Sequence, residues 1–129
     1  MKRRIAIDIE TSGLDPVSGG EIILICAVEL LEGDALGAHF QSMVKPLRPL
    51  IPLAEELTGI SNSTLADAPN FSDIAVDFLA FIDGAELVCI NSDFDSEFLN
   101  QALADVDLSP LQPERFIDLL RKWPPEFRE

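Results

Sequence analysis

Residues 4–10 read Arg4-Ile5-Ala6-Ile7-Asp8-Ile9-Glu10. In an extended chain side chains alternate between faces, so Ile5, Ile7 and Ile9 point one way while Ala6, Asp8 and Glu10 point the other. The stretch is therefore a strand with an apolar face and a face carrying two carboxylates. Two such groups, two residues apart, repel one another unless one is protonated or a cation bridges them. For an isolated pair, two solvated acids on the exposed face of an edge strand is the commoner reading. What surrounds it has to decide.

Downstream, Thr11 to Gly20 is rich in Gly, Ser, Asp and Pro and reads as a loop. Glu21 to Leu31 is almost wholly apolar, the pattern of a strand covered on both faces. A turn at Glu32-Gly33-Asp34 leads to a third strand, Leu36 to Val44, which Lys45-Pro46 ends. Three strands joined by short turns predict an antiparallel meander. Residues 46–69 hold several prolines and no sustained period, so they read as loop with one helical turn near Leu53 to Leu57.

The clearest helix begins at Asn70, which can cap it, with Asp73 three residues on. Phe71, Ile74, Ala75, Phe78, Leu79 and Ile82 form its apolar stripe, and Gly84 follows its end. Glu86 to Ile90 is a short apolar strand. Asn91-Ser92-Asp93 then opens a second helix that directs Phe94, Phe98, Leu99, Ala102 and Leu103 inward. Glu114 to Trp123 forms a short amphipathic segment ended by Pro124-Pro125. A meander followed by alternating strands and helices predicts the α/β class, built as one domain over residues 1–129.

Composition narrows the function. A net charge of −14 argues against a broad basic surface gripping nucleic acid, since phosphate neutralisation needs clustered Lys and Arg. Bound cations at a carboxylate site can reverse the local sign. Cys26 and Cys89 lie in apolar runs without the spacing of a zinc or redox motif, and are expected to be buried free thiols. With no signal-peptide pattern and no apolar run near the ~20 residues of a membrane span, the expected location is the cytoplasm, away from membranes.

The run Asp8-Ile9-Glu10-Thr11-Ser12-Gly13-Leu14-Asp15 resembles the first motif of the DEDD 3′-5′ exonucleases, a family that includes the proofreading subunit of bacterial DNA polymerase III. Glu21-Ile22-Ile23 with Ala27-Val28-Glu29 is similar to that family's second strand, and Lys45-Pro46 to the end of its third. Leu57-Thr58-Gly59-Ile60-Ser61 resembles its Gly-Ile loop. Ile90-Asn91-Ser92-Asp93-Phe94-Asp95-Ser96-Glu97-Phe98-Leu99 resembles its second motif, an Asn followed four residues later by an Asp. That match selects Asp95, and leaves Asp93 as a helix-capping acid. Phe116-Ile117-Asp118-Leu119-Leu120 to Pro124 is similar to the segment before the third motif.

The resemblance implies a ribonuclease-H-like exonuclease fold: a mixed sheet with a three-strand antiparallel meander, then β-α units, C-terminally incomplete here. It implies two Mg2+ or Mn2+ ions, with Asp8 bridging both, Glu10 helping to hold one, and Asp95 supporting the site directly or through water. Thr11, Leu14 and Ile60 would border the terminal nucleotide. The implied partners are single-stranded nucleic-acid 3′ ends and a DNA polymerase. Apolar surface left by absent helices would favour self-association. The third motif, which supplies the general-base His and a fourth Asp, is not found in the sequence given. There is no Tyr, and the one His, His39, falls in the third strand. These losses predict weak hydrolysis, or else a degenerate, non-catalytic module that docks a polymerase or another protein.

Overall fold

The structure is a computed structural model and describes residues 2–32 and 35–122. Its five strands are β1 (Arg4–Thr11), β2 (Ile22–Leu30), β3 (Leu36–Met43), β4 (Glu86–Cys89) and β5 (Phe116–Asp118). They form one mixed sheet in the order β3-β2-β1-β4-β5, antiparallel across the meander and parallel from β1 through β4 to β5. The α/β class and the meander are as expected. Of the expected turn at Glu32-Gly33-Asp34, Gly33 and Asp34 lie outside the described residues. So do Trp123 and Pro124-Pro125.

One face of the sheet makes the core. Ile5, Ile7 and Ile9 of β1, Ile25 and Ala27 of β2, and Leu87 and Cys89 of β4 are buried there. Over them lie two helices, α3 (Phe71–Ile82) and α4 (Ser92–Asp105), which contribute Phe78, Ile82, Phe98, Leu99 and Leu103. The 3.6-residue spacing of these apolar positions is what makes each helix one-sided. The Asp73 carboxylate accepts the Asn70 N–H at 3.0 Å, closing the start of α3. At the far end, Arg115 donates to the carbonyls of Ile82 and Ala85, meeting the partial negative charge of the α3 C-terminus with a guanidinium.

The opposite face is covered only at one end, which corrects the expectation that β2 is buried on both sides. Along β2, Leu24, Cys26 and Val28 are only half-buried. Pairing steps from Glu10↔Leu24 to Thr11↔Ile22, so Ile23 is an extra residue, a bulge that turns its side chain away from the main core. Ile23 instead joins Leu50, Ala54, Ile60 and Leu65. This second cluster rests on two short helices, α1 (Pro52–Thr58) and α2 (Asn62–Leu65), where one helical turn was expected. It reaches the half-buried Leu24 and Met43, which pair across β2 and β3. Beyond that end the face is open, and it carries Ala6, Asp8, Cys26, Val28, Gln41 and His39.

The expected amphipathic segment over 114–123 resolves differently. Pro113–Arg115 is a single 3-10 turn, Phe116–Asp118 is β5, and Leu119–Lys122 is a short helix, α5. Three residues are too few to show a period, and their partner, β4, lies about 30 positions upstream.

Candidate active site

Asp8 and Glu10 stand where the alternation places them, on the open face of β1. Asp8 lies opposite Cys26 and Glu10 opposite Leu24. Asp8 is exposed because nothing described covers that row. Cys26 therefore corrects the reading of a buried thiol: it is half-buried, since its side of β2 is the uncovered one. Burial, then the charges of Asp8 and Glu10, push its thiol pKa up.

Asp95 arrives from the other side. It is in the first turn of α4, on the helix face that packs inward, and is only 7% exposed. Burial raises its pKa to about 6. A hydrogen bond from the Cys89 thiol works against that rise, and the charges of Asp8 and Asp118 add to it. The Cys89 thiol, itself buried and facing these acids, is pushed well above its ordinary value. Helix α4 packs directly on β1, so the Asp8 charge acts on Asp95 although the two residues are 87 positions apart in sequence.

The other expected site residues divide. Thr11 is half-buried and its hydroxyl donates to the Gly13 carbonyl at 2.7 Å, tightening the loop after β1. In that loop Gly20 is required: a Cβ there would lie 2.7 Å from the Asp15 carbonyl oxygen. Leu14, in the same loop, is 90% exposed. Ile60 is 8% exposed and belongs to the second cluster, so little of its side chain is left to meet a ligand. The left-handed Gly59 (φ 73°) ends α1 and turns Ile60 inward, and the Ser61 hydroxyl accepts the Thr64 N–H to cap α2. His39 is exposed on β3, opposite Val28 and on the same open face as Asp8, two strands away.

Asp93 is not the helix cap. It lies exposed in the first turn and pairs with Arg121 at 2.7 Å. The capping role falls to a residue that sequence reasoning did not single out, Asp118. Its Oδ2 accepts both the backbone N–H of Ser92, at 3.1 Å, and the Ser92 hydroxyl, at 2.9 Å. Its Oδ1 accepts from the Leu120 and Arg121 N–H groups. Although burial acts to raise its pKa, these hydrogen bonds from Ser92, Arg121 and Leu120 prevail and lower it.

Among the described residues, no group of three or more His, Cys, Asp or Glu side chains is gathered closely enough to hold a metal ion. The donor chemistry nevertheless suits one. Asp8, Glu10 and Asp95 offer only hard oxygen donors, which fit Mg2+ or Mn2+. The raised pKa of Asp95 marks an uncompensated charge that a cation would relieve. A cavity of about 350 Å3 lies away from these acids, between Ile22, Val44, Phe71, Phe98 and Ala102.

A sheet of this order, carrying paired acids on its first strand and a buried acid at the head of the helix after its fourth, defines a nuclease-type domain. The chain belongs to the exonuclease family, whose model matches residues 5–122. Within it the chain is similar to bacterial DNA polymerase III subunit epsilon, a DEDD-type exonuclease. It is 42% identical to that of Rickettsia typhi over 102 residues, covering 79% of this chain and 44% of the relative. The Haemophilus influenzae subunit is 38% identical over 111 residues, 83% of this chain and 43% of the relative. The chain thus spans less than half the length of these relatives.

Among solved structures, exonuclease X in complex with 5′ overhanging duplex DNA superposes with a TM-score of 0.68 at 27% identity, over 95% of this chain and 65% of that one. Apo exonuclease I gives 0.82 at 18% identity, over 95% and 30%, which shows the shared ribonuclease-H-like fold. No helix among the described residues is long and apolar enough to cross a membrane.

Proposed function

We propose that this chain carries the front of a 3′-5′ exonuclease site that removes nucleotides from single-stranded nucleic-acid 3′ ends with divalent cations. The observation that carries the reading is the packing of α4, with its buried Asp95, on β1, whose open face carries Asp8; the two acids stand in the stretches that resemble the family's first and second motifs. Asp8 and Glu10 would hold Mg2+ or Mn2+, with Asp95 completing the anionic wall. When bound, such ions supply positive charge at the scissile phosphate. The residues themselves do three things: they present oxygen donors, hold them against mutual repulsion, and leave the face above β1 free for a strand end.

Binding would then depend on cations rather than on a basic surface, which reconciles the chain's charge of −14 with a polyanionic substrate. Thr11 and Leu14, on the loop beside the acids, are the proposed contacts to the terminal nucleotide, and Ile60 shapes the adjacent turn from beneath. No histidine stands beside these acids among the described residues, His39 lying two strands away. The sequence given is therefore proposed to hydrolyse weakly, and better with Mn2+ than with Mg2+. The relatives' names link them to DNA polymerase III, and a polymerase is the proposed protein partner.

Titration calorimetry with Mn2+ tests the reading. Heat that is present in the wild type and lost in Asp8→Ala supports it. Absence of binding in the millimolar range overturns it in favour of a non-catalytic module that uses the same fold to dock a partner.

A further inference from the structure

The buried polar side chains among the described residues are Ser92, Asp95 and Asp118, and all three belong to the junction of α4 with β5. A helix start leaves its first N–H groups without intrahelical acceptors, and the residue just before the helix usually supplies one. Here Asn91 occupies that position and its side chain makes no capping bond. Asp118 supplies the acceptor instead, from a strand 26 residues downstream, and it binds Ser92 through both backbone and hydroxyl.

The anchor is itself held in place. Asp118 pairs with Cys89 in the β4–β5 ladder, and the Leu120 N–H reaches back to the Ile90 carbonyl at 3.3 Å. Asp95 follows Ser92 within the same first turn, and its N–H bonds the Asn91 carbonyl at 3.3 Å. A shift of that turn would carry Asp95 away from β1. Asp118 is poorly suited to be a metal ligand, because four donors already occupy the roughly four acceptor positions of its carboxylate.

We propose that Asp118 is a positioning residue: by capping α4 from β5 it fixes the first turn of that helix, and with it the orientation of Asp95 toward Asp8. The part of this claim that concerns cations rests on the function proposed above; the part that concerns the helix does not.

Two readouts on the full chain test it, using Asp118→Ala with Asp118→Asn as the milder variant. By NMR-detected amide exchange, Ser92 and Asp95 should exchange at least about 10-fold faster relative to Leu103, deeper in the same helix. Equal acceleration along α4, or none, would overturn the claim. By calorimetry, Mn2+ affinity should fall about 10- to 100-fold, as when a group that orients a ligand is removed. Asp118→Asn, which keeps an oxygen for Ser92, should fall between Ala and wild type. Arg115→Ala should lower the melting temperature and leave Mn2+ affinity unchanged. If Arg115→Ala weakens Mn2+ as much as Asp118→Ala does, general destabilisation accounts for the effect and the positioning claim fails. A wild type that binds no Mn2+ defeats the proposed function, and the exchange result then upholds or overturns the positioning by itself.

Discussion

The two faces of β1 differ by a single step of alternation. Ile5, Ile7 and Ile9 lie under α3 and α4 and are almost fully buried, whereas Ala6, Asp8 and Glu10 look out over a face covered only at the end where α1 and α2 sit. The first face holds the fold together through apolar area removed from water. The second stabilises little, because it carries like charges that no described side chain neutralises. Under the proposed function, stability and chemistry are separated onto opposite sides of one strand, and Asp95, buried at the head of α4, is the proposed site residue that belongs to the packed side.

The separation can be broken by mutation. The largest expected effect is on the open face. Asp8→Ala should lower metal-dependent nucleotide release by at least about 100-fold while leaving the melting temperature equal to the wild type or above it, since a charge repelling Glu10 is removed. A melting temperature that falls sharply would show that Asp8 has a structural role. On the covered face, Phe78→Ala should cost about 3–5 kcal/mol in denaturant unfolding, because it opens a cavity in the core where Phe78 packs on Phe40 of β3. A cost below about 1 kcal/mol would mean that α3 is not the lid of the core.

At the junction the expected effect is smaller and depends on pH. Asp95 has its pKa raised to about 6 from an ordinary 3.8, so the folded state binds its proton more tightly than the unfolded state does. The stabilisation this gives is complete below about pH 4 and is lost as pH rises through about 6, a change on the order of 3 kcal/mol. Without metal, Asp95→Asn should therefore raise the melting temperature at pH 8 and change it little at pH 4, while abolishing release. Asp118 has the opposite sign: its pKa is lowered, so its contribution is present at neutral pH and lost in acid. Asp118→Asn should lower the melting temperature at pH 8 and have less effect near pH 3. The smallest effect on stability is expected at Leu14, where replacement by Ser should stay within about 0.5 kcal/mol. A raised KM in that variant would support its place beside the substrate.

Much of this was legible in the sequence because it is local. The period of two in residues 4–10 and of 3.6 in 71–82 and 94–103 is written residue by residue, and the resemblance located Asp8, Glu10 and Asp95 on it. What was not legible depends on contacts between distant segments. The bulge at Ile23 follows from a mismatch in pairing between β1 and β2, so an unbroken apolar run looked like a strand buried on both sides. Cys26 looked like a core residue for the same reason. Asp118 could not be recognised as the cap of α4, because β5 is three residues long and its partner is far upstream. Asp93 stood nearer to the helix start and drew the capping role on proximity, although its charge is spent on Arg121.

The most direct test of the central claim is release of the terminal nucleotide from a 3′-labelled single strand by the wild type and Asp8→Ala, each with Mn2+ and with EDTA. The account predicts slow release by the wild type with Mn2+, faster than with Mg2+, and none with EDTA or with Asp8→Ala. Release that persists in EDTA or in Asp8→Ala would contradict it, and so would no release by the wild type at any Mn2+ concentration.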